Sequence, residues 1–331
     1  MTVRVCMIGV GSIAKAAHGP ALRRLQQEGL AVLCGCAGNS MEESRPFAEK
    51  FGFARPYDDY EKMIREEKPD LTFCLLPVKL NASAAIHVMK NGGNAVMEKP
   101  PGADLEETRS ILEAEKACGK RCGVLFNRRS MPLVQKLKKL VDDSGEKIQA
   151  VTLEMTRSAR THEDFTTTAV HGVDCIRFLA GDFEELAFDY QNDQVKGFVN
   201  YYVSGKTVGD IHTEMRFLPN TGGVTERINV YTDNSQYTLH MPMWNGITYA
   251  AGPDSPGQLS IISEETVKSL IRGDIYSDST EGYVLNGFYD EDKKILSTYS
   301  ELPDIFTIQS SIQSIEITDA MRNQVRTYRK E

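Results

Sequence analysis

The stretch VRVCMIGVGSIA, residues 3–14, joins an apolar run to a glycine-rich turn and decides the fold of the first part of the chain. The apolar run predicts a buried strand, and GVGSIA (9–14) follows it with the spacing G-x-G-x-x-A. The first glycine permits a tight turn, the second lets the backbone approach a pyrophosphate, and the small final residue lets helix and strand pack closely. Because the following helix N-terminus faces the phosphates, we predict a dinucleotide site at Gly9, Gly11, Ser12, Ile13 and Ala14.

Short apolar runs alternate with segments of helical pattern as far as about residue 126. The runs are AVLCGCA (31–37), LTFCLLP (71–77), NAVMEKP (94–100) and RCGVLF (121–126). Continuous Val, Leu and Cys runs are typical of parallel strands that helices cover on both faces. We therefore predict an α/β, doubly wound parallel sheet over residues 1–126, with its chemistry at the carboxyl ends of the strands.

Residues 127–331 follow a different pattern. Longer segments such as QAVTLEMTRS (149–158), VTERINVYT (224–232) and QYTLHMP (236–242) alternate apolar and polar residues. This alternation predicts an α+β domain with an open, mostly antiparallel sheet that has one polar face. We expect one helix from about Ala169 to Leu179, and two more over about 280–299 and 307–326.

Composition argues against several classes of protein. The 331 residues suffice for two domains, and the net charge of −8, with scattered Lys and Arg, offers no basic face to a nucleic acid. No apolar run approaches the roughly 20 residues of a membrane span and no signal-peptide pattern is present, so we expect a cytoplasmic protein. The seven cysteines and six histidines have neither a disulfide framework nor a zinc-ligand spacing, so we expect no metal.

The residues after the second apolar run bear on the choice of cofactor. A carboxylate normally stands at this strand end to bind the adenosine ribose of NAD, but the chain has the neutral residues Gly38, Asn39 and Ser40. A ribose 2′-phosphate is then not repelled, Asn39 and Ser40 can donate hydrogen bonds to it, and Arg45 lies nearby in the following helix. These residues favour NADP, while a neutral strand end also accepts NAD and Arg45 also fits a solvated helix position.

A charged pair stands at the end of the run at residues 94–100. Glu98 and Lys99 stand in MEKPPG (97–102), at the sheet edge where a nicotinamide would lie, and a cis bond before Pro100 would direct the lysine into the cleft. The Lys99 ammonium can bond a substrate hydroxyl and favour the alkoxide as hydride leaves, while Glu98 can hold the ribose or the lysine. The alternative is that this Glu-Lys pair is ordinary surface charge.

His171 lies in TTTAVHGVD, residues 166–174, within the expected helix. A histidine on an apolar helix face is more often a packed core residue than a proton carrier. Together with Lys99 and the glycine-rich loop, however, His171 becomes the candidate that takes a proton from the substrate hydroxyl. Of the remaining histidines, His162 precedes the helix and is placed to contact substrate, and the others stay unassigned.

Four motifs in fixed order resemble the Gfo/Idh/MocA oxidoreductases: GVGSIA (9–14), MEKPPG (97–102), LFNRRSMP (125–132) and HGVDCIRFLAG (171–181). The resemblance spans nearly the whole chain, including GFYDEDKKIL (287–296) and LPDIFTIQSSIQSIEITDAM (302–321). It implies an NAD(P)-binding Rossmann domain, 1–126, and a substrate-binding and oligomerisation α+β domain, 127–331. It also implies a nicotinamide cofactor, a sugar, cyclitol or related polyol as substrate, and a homodimer or homotetramer through the C-terminal sheet.

The resemblance assigns roles to further residues. It makes Lys99 and His171 the catalytic pair. It places the cofactor beside Leu76, Pro77, Asn81 and Glu98, and the substrate beside Arg128, Thr167 and Asp174.

The chain departs from the family pattern at two places. The family often has Pro-Asn-x-x-His where this chain has PVKLN (77–81), and a carboxylate often stands four residues before the histidine, where this chain has Thr167. A hydroxyl can bond a sugar, but it cannot stabilise an imidazolium as a carboxylate does. Two alternatives therefore stay open: a catalytically silent protein that senses NAD(P) or a sugar, and an NAD(P)-assisted glycosidase without net cofactor turnover.

Overall fold

The computed structural model describes residues 2–161, 164–244, 254–264 and 266–330, which form two compact units with one sheet each. The first unit contains Met1–Asn127 and Gly287–Ile312, and the second contains Arg128–Asn286 and Gln313–Glu331. The domain boundary expected after residue 126 lies one residue before the point at which the chain first passes from one unit to the other, after Asn127. The return of residues 287–312 to the first unit is not visible in the sequence pattern.

The first unit is built on a six-stranded parallel sheet. Its strands are β1 (Val3–Ile8), β2 (Ala31–Ala37), β3 (Arg55–Tyr57), β4 (Leu71–Cys74), β5 (Asn94–Glu98) and β6 (Cys122–Leu125). They lie in the order β3-β2-β1-β4-β5-β6, and every neighbouring pair is parallel. The predicted doubly wound sheet is confirmed. The strand order reverses between β1 and β4, and in such sheets ligands bind outside the carboxyl ends of the strands at that point.

The helices of the chain have the following bounds: α1 (Gly19–Gln27), preceded by a π-helical turn at Ala14–His18, α2 (Met41–Phe51), α3 (Tyr60–Glu67), α4 (Val78–Lys90), α5 (Leu105–Cys118), α6 (Pro132–Ser144), α7 (Thr166–Ala180), α8 (Gly273–Ser277), α9 (Gly282–Leu285), α10 (Phe288–Thr298) and α11 (Ile308–Arg322). Local sequence explains several ends. The Asp59 and Asp104 side chains accept hydrogen bonds from backbone N–H groups in the first turns of α3 and α5. Glycines in the left-handed conformation, such as Gly52, end helices because they carry no Cβ.

The second unit is built on a nine-stranded sheet. Its strands are β7 (Ile148–Thr156), β8 (Phe183–Asp193), β9 (Phe198–Thr207), β10 (His212–Leu218), β11 (Thr225–Thr232), β12 (Ser235–His240), β13 (Gln258–Ser263), β14 (Thr266–Arg272) and β15 (Thr327–Arg329). They lie in the order β14-β13-β12-β11-β7-β10-β9-β8-β15. The β7–β10 pair is parallel and the other pairs are antiparallel, which confirms the mostly antiparallel sheet.

One face of this sheet carries the core of the second unit. Alternate residues of β11, including Ile228 and Val230, are buried, while their neighbours are partly exposed. Helix α7 lies against this face, and Gly172 permits the close approach: a Cβ at this position would lie 2.7 Å from the Phe217 ring and 3.0 Å from the Leu153 side chain. The close contact between α7 and this face of the sheet therefore fixes the directions in which the side chains of α7 point.

Some elements differ from the expected ones. Strands β9, β13 and β14 were not predicted, and α7 begins at Thr166, three residues before the expected start. The helix expected over 280–299 is divided into α9 and α10 by Gly287, which has a φ of +82°. In the described parts of the chain, no helix is long and apolar enough to cross a membrane.

Candidate active site

The glycine-rich loop leaves β1 at the carboxyl edge of the first sheet. Gly9 has a φ of +96°, and a Cβ there would lie 2.3 Å from the Leu75 carbonyl oxygen, so only glycine fits. At Gly11 an added Cβ would meet nothing within 4 Å, which leaves open space above the backbone, and Ser12 beside it is exposed. Ala14 is fully buried where the helix packs. Open backbone at the start of a helix has the shape that a bound pyrophosphate requires.

The ends of β4 and β5 are joined by one buried side chain. Asn81 Oδ1 accepts a hydrogen bond from the Leu76 backbone nitrogen at 3.2 Å, and Asn81 Nδ2 donates to the Glu98 carbonyl oxygen at 2.9 Å. Asn81 was predicted to bind the cofactor, but its side-chain oxygen and its side-chain nitrogen each form a hydrogen bond with the backbone. It therefore holds the two strand ends together. Pro77 is exposed and Leu76 is half-buried at this edge, which leaves both available to a bound nucleotide.

A buried histidine between two carboxylates lies behind the end of β5. His18 Nδ1 is 2.9 Å from Asp292 Oδ1 on α10, and His18 Nε2 is 3.2 Å from Glu98 Oε1. Burial lowers the pKa of His18, but the Asp292 and Glu98 carboxylates outweigh it and raise the pKa to about 10. Phe73 and Phe288 pack against the ring. A charged imidazolium can donate to both carboxylates, which a neutral ring with one N–H cannot do.

Lys99 follows directly on this cluster. Its side chain is partly exposed, the Lys99–Pro100 peptide is cis, and its backbone nitrogen donates to Glu98 Oε2 at 3.2 Å. Glu98 thus receives hydrogen bonds on both carboxylate oxygens, one from His18 and one from the backbone of Lys99. The cluster fixes the end of β5 at the position where the predicted catalytic lysine begins.

The end of β2 carries the residues predicted to select the cofactor. Asn39 and Arg45 are exposed, and Ser40 is the N-cap residue of α2. The carboxylate that the strand lacks is supplied from the helix, because Glu43 Oε2 accepts a hydrogen bond from the Asn39 backbone nitrogen at 3.2 Å. The S-x-x-E spacing from Ser40 to Glu43 is that of a helix capping box, but Glu43 accepts from the nitrogen of Asn39, one residue before the N-cap, and the Ser40 side chain forms no capping bond.

In the second unit, α7 carries His171 and Thr167 one turn apart. His171 is 9% exposed, its Nδ1 atom is buried, and Thr167 is half-buried. The Thr167 hydroxyl donates to the Asp164 carbonyl oxygen at 2.8 Å. The Asp164 carboxylate accepts from the Thr166 backbone nitrogen and from Arg322. These bonds fix the start of the helix that carries the histidine.

Asp174 is engaged inside the second unit. It is fully buried, and Arg129 binds both of its carboxylate oxygens through Nε and Nη2, the Nε bond being 2.7 Å long. The Ser314 hydroxyl donates to Asp174 Oδ1 at 3.1 Å. The prediction that Asp174 contacts substrate needs correction, since burial and these partners occupy the carboxylate. Its position on α7, three residues after His171, makes it an anchor of the helix.

Arg128 is likewise engaged. Its Nε and Nη2 atoms donate to the two oxygens of Glu226 at 3.2 and 2.7 Å, and Arg157 binds the same carboxylate. Burial raises the pKa of Glu226, but the two guanidinium groups outweigh it and hold the pKa at about 2. Arg128 was predicted to bind substrate. In the structure its bonds to Glu226 account for its position beside β11.

Sequence reasoning did not single out Asp292, Glu226 or Arg157 and left His18 unassigned. Each of them contacts a residue far away in the chain, so local spacing carries no signal for it.

His162, a predicted substrate contact, lies outside the described residues. Among the residues that the structure describes, no group of three His, Cys, Asp or Glu side chains is arranged to hold a metal ion.

Comparison with known proteins finds a matching family model for the first part of the chain. Residues 3–126 match the model of the Gfo/Idh/MocA oxidoreductase family, which has an NAD-binding Rossmann fold. D-glucoside 3-dehydrogenase of Escherichia coli K12 is 25% identical over 139 residues, 42% of this chain and 39% of that protein. Inositol 2-dehydrogenase of Paracoccus denitrificans is 29% identical over 196 residues, 55% of each chain. The matches thus span about half or less of these relatives.

The similarity of fold extends further than the similarity of sequence. The crystal structure of a Gfo/Idh/MocA family oxidoreductase from Vibrio cholerae superposes with a TM-score of 0.80 at 20% identity, covering 98% of each chain. The parallel sheet, the glycine-rich loop and the second sheet define a dinucleotide-binding Rossmann protein with an added α+β unit. The match of residues 3–126 makes the first unit similar to the NAD-binding domain of the Gfo/Idh/MocA oxidoreductases, and the superposition shows that the whole chain shares the fold of such a protein.

Proposed function

We propose that this protein is an NAD(P)-dependent oxidoreductase that transfers a hydride between the nicotinamide and a sugar, cyclitol or related hydroxy or keto compound. The observation that supports this proposal most strongly is the loop at the end of β1, where only a glycine fits at position 9 and Gly11 faces open space. That cradle fits a pyrophosphate at a helix N-terminus. The similarity to a glucoside dehydrogenase and an inositol dehydrogenase supports a polyhydroxylated substrate.

In the proposed reaction, a bound nicotinamide accepts or donates the hydride. Lys99 carries a positive charge at the carboxyl edge of the first sheet, and its ammonium donates a hydrogen bond to the reacting substrate oxygen. This bond favours the alkoxide during oxidation and polarises the carbonyl during reduction. Glu98 keeps the backbone at Lys99 in place through the 3.2 Å bond to the Lys99 nitrogen.

His171 takes the proton from the substrate hydroxyl during oxidation and returns it during reduction. Its Nδ1 atom is buried, so Nε2 is the nitrogen that we assign to the proton transfer. The Thr167 hydroxyl oxygen, one turn earlier, accepts a hydrogen bond from a substrate hydroxyl. We omit Arg128, Asp174 and Asn81 from the ligand contacts because each is engaged with protein groups.

Two features bear in opposite directions on the finer choice between NAD and NADP. The neutral residues Gly38, Asn39 and Ser40 favour NADP, because the strand itself offers no charge against a 2′-phosphate. The Glu43 carboxylate beside them opposes that preference. The proposed oxidoreductase activity requires only that one of the two cofactors binds.

The test is a turnover assay with the purified full chain. NAD(H) and NADP(H) are each combined with a panel of sugars, cyclitols, glycosides and their keto forms, and the absorbance of reduced nicotinamide is followed. We expect net turnover on a polyol or its ketone. Lys99→Ala and His171→Ala should each lower kcat by roughly 10²- to 10⁴-fold, the usual contribution of a general acid or base.

Two control variants distinguish the loss of a catalytic side chain from the loss of the same type of side chain elsewhere on the protein. Lys90→Ala and His212→Gln change an exposed lysine on α4 and an exposed histidine on β10, and both should leave kcat unchanged. Unchanged turnover in Lys99→Ala or His171→Ala refutes the assigned roles. Dinucleotide binding without turnover on any substrate favours the sensor, and glycoside cleavage without net change in the nicotinamide favours the cofactor-assisted glycosidase.

We also propose that the protein acts in the cytoplasm as a homodimer or homotetramer assembled through the open face of the nine-stranded sheet. That face carries a shallow depression of charged and polar side chains, including Glu154, Glu214, Arg216 and Arg227. Mixed charges of this kind suit a self-complementary contact around a two-fold axis. Light scattering during gel filtration tests it. Arg216→Glu should shift an oligomer toward monomer, and a monomeric wild type excludes the assembly.

A further inference from the structure

The residues at the end of β2 and directly after it are uncharged. The strand closes with Ala37, and the next residues, Gly38, Asn39 and Ser40, carry no acid. In Rossmann folds an acidic side chain at this place accepts hydrogen bonds from the adenosine ribose hydroxyls. From the strand residues alone, the site has no charge that would oppose a ribose 2′-phosphate.

The structure brings a carboxylate to this place from the following helix. Glu43 is the third residue of α2, and its Oε2 atom lies 3.2 Å from the Asn39 backbone nitrogen, which donates to it. The same oxygen would lie 3.2 Å from a Cβ built on Gly38. The Glu43 carboxylate therefore occupies the space beside the strand end where a strand-borne acid would project.

The neighbouring backbone holds this arrangement in place. The Gly38 nitrogen donates to the Ser44 hydroxyl at 2.7 Å, and that hydroxyl donates to the Ser40 carbonyl oxygen at 3.0 Å. A side chain at position 38 would meet Val10 at 2.6 Å. An acid at residue 38 would therefore displace Val10, whereas Glu43 brings its carboxylate to the Asn39 nitrogen from the helix.

A purely structural role for Glu43 is the alternative. Ser40-x-x-Glu43 has the spacing of a capping box, in which the glutamate accepts from the backbone N–H of the N-cap residue, and here Glu43 accepts from the N–H one residue earlier, at Asn39. Capping needs a hydrogen-bond acceptor and no charge, so glutamine serves as well. Discrimination against a phosphate needs the charge. A glutamine at this position therefore distinguishes the two roles.

We propose that Glu43 determines cofactor choice by accepting a hydrogen bond from the adenosine ribose 2′-hydroxyl and excluding a 2′-phosphate, so that the protein prefers NAD(H) to NADP(H). The inference rests on the proposed nicotinamide-dependent function and replaces the preference for NADP that the neutral strand end suggested. Arg45, two residues further along α2, is exposed. Glu43 is the charged residue whose side chain is hydrogen-bonded to the backbone at Asn39.

The experiment is a fluorescence titration of the full chain with NADH and with NADPH, in the absence of substrate. We expect NADH to bind about tenfold or more tightly than NADPH, a ratio comparable to the repulsion of a carboxylate and a phosphate near contact in water. In Glu43→Gln the NADPH affinity should rise and the ratio should fall toward one. In Glu43→Lys the ratio should invert.

The matched control is Glu49→Gln, which removes an equal charge from an exposed position on the same helix and should leave the ratio unchanged. A thermal melt of each variant reports on the capping role, and Glu43→Gln should melt with the wild type. Tighter NADPH binding by the wild type, or an unchanged ratio in folded Glu43→Gln and Glu43→Lys, overturns this inference alone. Binding of neither dinucleotide overturns the proposed function and this inference with it.

Discussion

Replacement of Glu226 by glutamine should strongly destabilise the protein. Glu226 accepts two hydrogen bonds from Arg128 and one from Arg157, and the three side chains are only 7%, 13% and 5% exposed. A glutamine of the same size leaves two buried guanidinium groups around a neutral amide. A buried charge that loses its partner keeps the cost of desolvation without the compensating attraction.

The magnitude follows from the pKa of Glu226. The two arginines outweigh burial and hold the pKa at about 2, against an ordinary value of 4.5. That difference corresponds to about 3 kcal/mol in favour of the folded state at neutral pH. It agrees with the roughly 3–5 kcal/mol that is lost when one partner of a buried ion pair is removed. For a unit of this size, we expect the melting temperature to fall by roughly 6–12 °C.

The sign of the pH dependence is fixed by the direction of the pKa shift. The pKa of Glu226 is lowered in the folded state, so its contribution is fully present above pH 4.5 and is lost as the pH falls toward 2. Glu226→Gln has no such group. The difference in stability between the wild type and the variant should therefore be constant near neutral pH and decrease between pH 4.5 and pH 2.

The assay is urea unfolding of both proteins over a pH series, supported by thermal melts at pH 7. Asp143→Asn is the control, because Asp143 forms an exposed ion pair with Lys139 on α6 and should change stability by less than about 1 kcal/mol. A melting temperature of Glu226→Gln within the range of the control, or a stability difference independent of pH, refutes the reasoning.

Three further predictions concern the two sites. Gly9→Ala should abolish dinucleotide binding measured by fluorescence titration, because the new Cβ lies too close to a backbone carbonyl and the φ of +96° disfavours alanine; unchanged affinity contradicts the proposed cradle. The stabilising contribution of His18, whose raised pKa of about 10 is due to two carboxylates that outweigh burial, is full below pH 6.5 and is lost as the pH rises toward 10. Unfolding of the wild type and His18→Leu across that range should show a difference that decreases with pH. Asp174→Asn should lower stability by about 3–5 kcal/mol because it leaves Arg129 buried without its carboxylate, and a melting temperature equal to the wild type excludes this role.

Much of the first unit could be predicted because its signals are local. A run such as Val3–Ile8 is apolar except for the exposed Arg4, because both faces of the rest of its strand are covered. The glycines that follow it have the spacing that one tight turn requires. In the second unit, alternation revealed β7, β11 and β12. It failed for β13 and β14, where successive residues are partly exposed on both faces and the period of two is weak.

The side-chain partners at the candidate sites could not be predicted in the same way. Asp174 was predicted to face substrate from its place in the motif around His171, yet Arg129, 45 residues earlier, binds it. Arg128 meets Glu226, 98 residues later, and His18 meets Asp292, 274 residues later. No regular spacing in the sequence identifies such pairs, because two groups so far apart in the chain impose no pattern on the residues between them.

By itself, the sequence determined the parallel sheet, the glycine-rich loop after β1, and the helix that carries His171, since backbone conformation follows from spacing and residue type over a few positions. Tertiary structure decided which charged groups remain available to ligands. It paired Asp174 and Arg128 inside the second unit and brought Glu43 to the end of β2. The physical reason is that a buried charge needs a partner, and only the folded chain determines which opposite charge lies within reach.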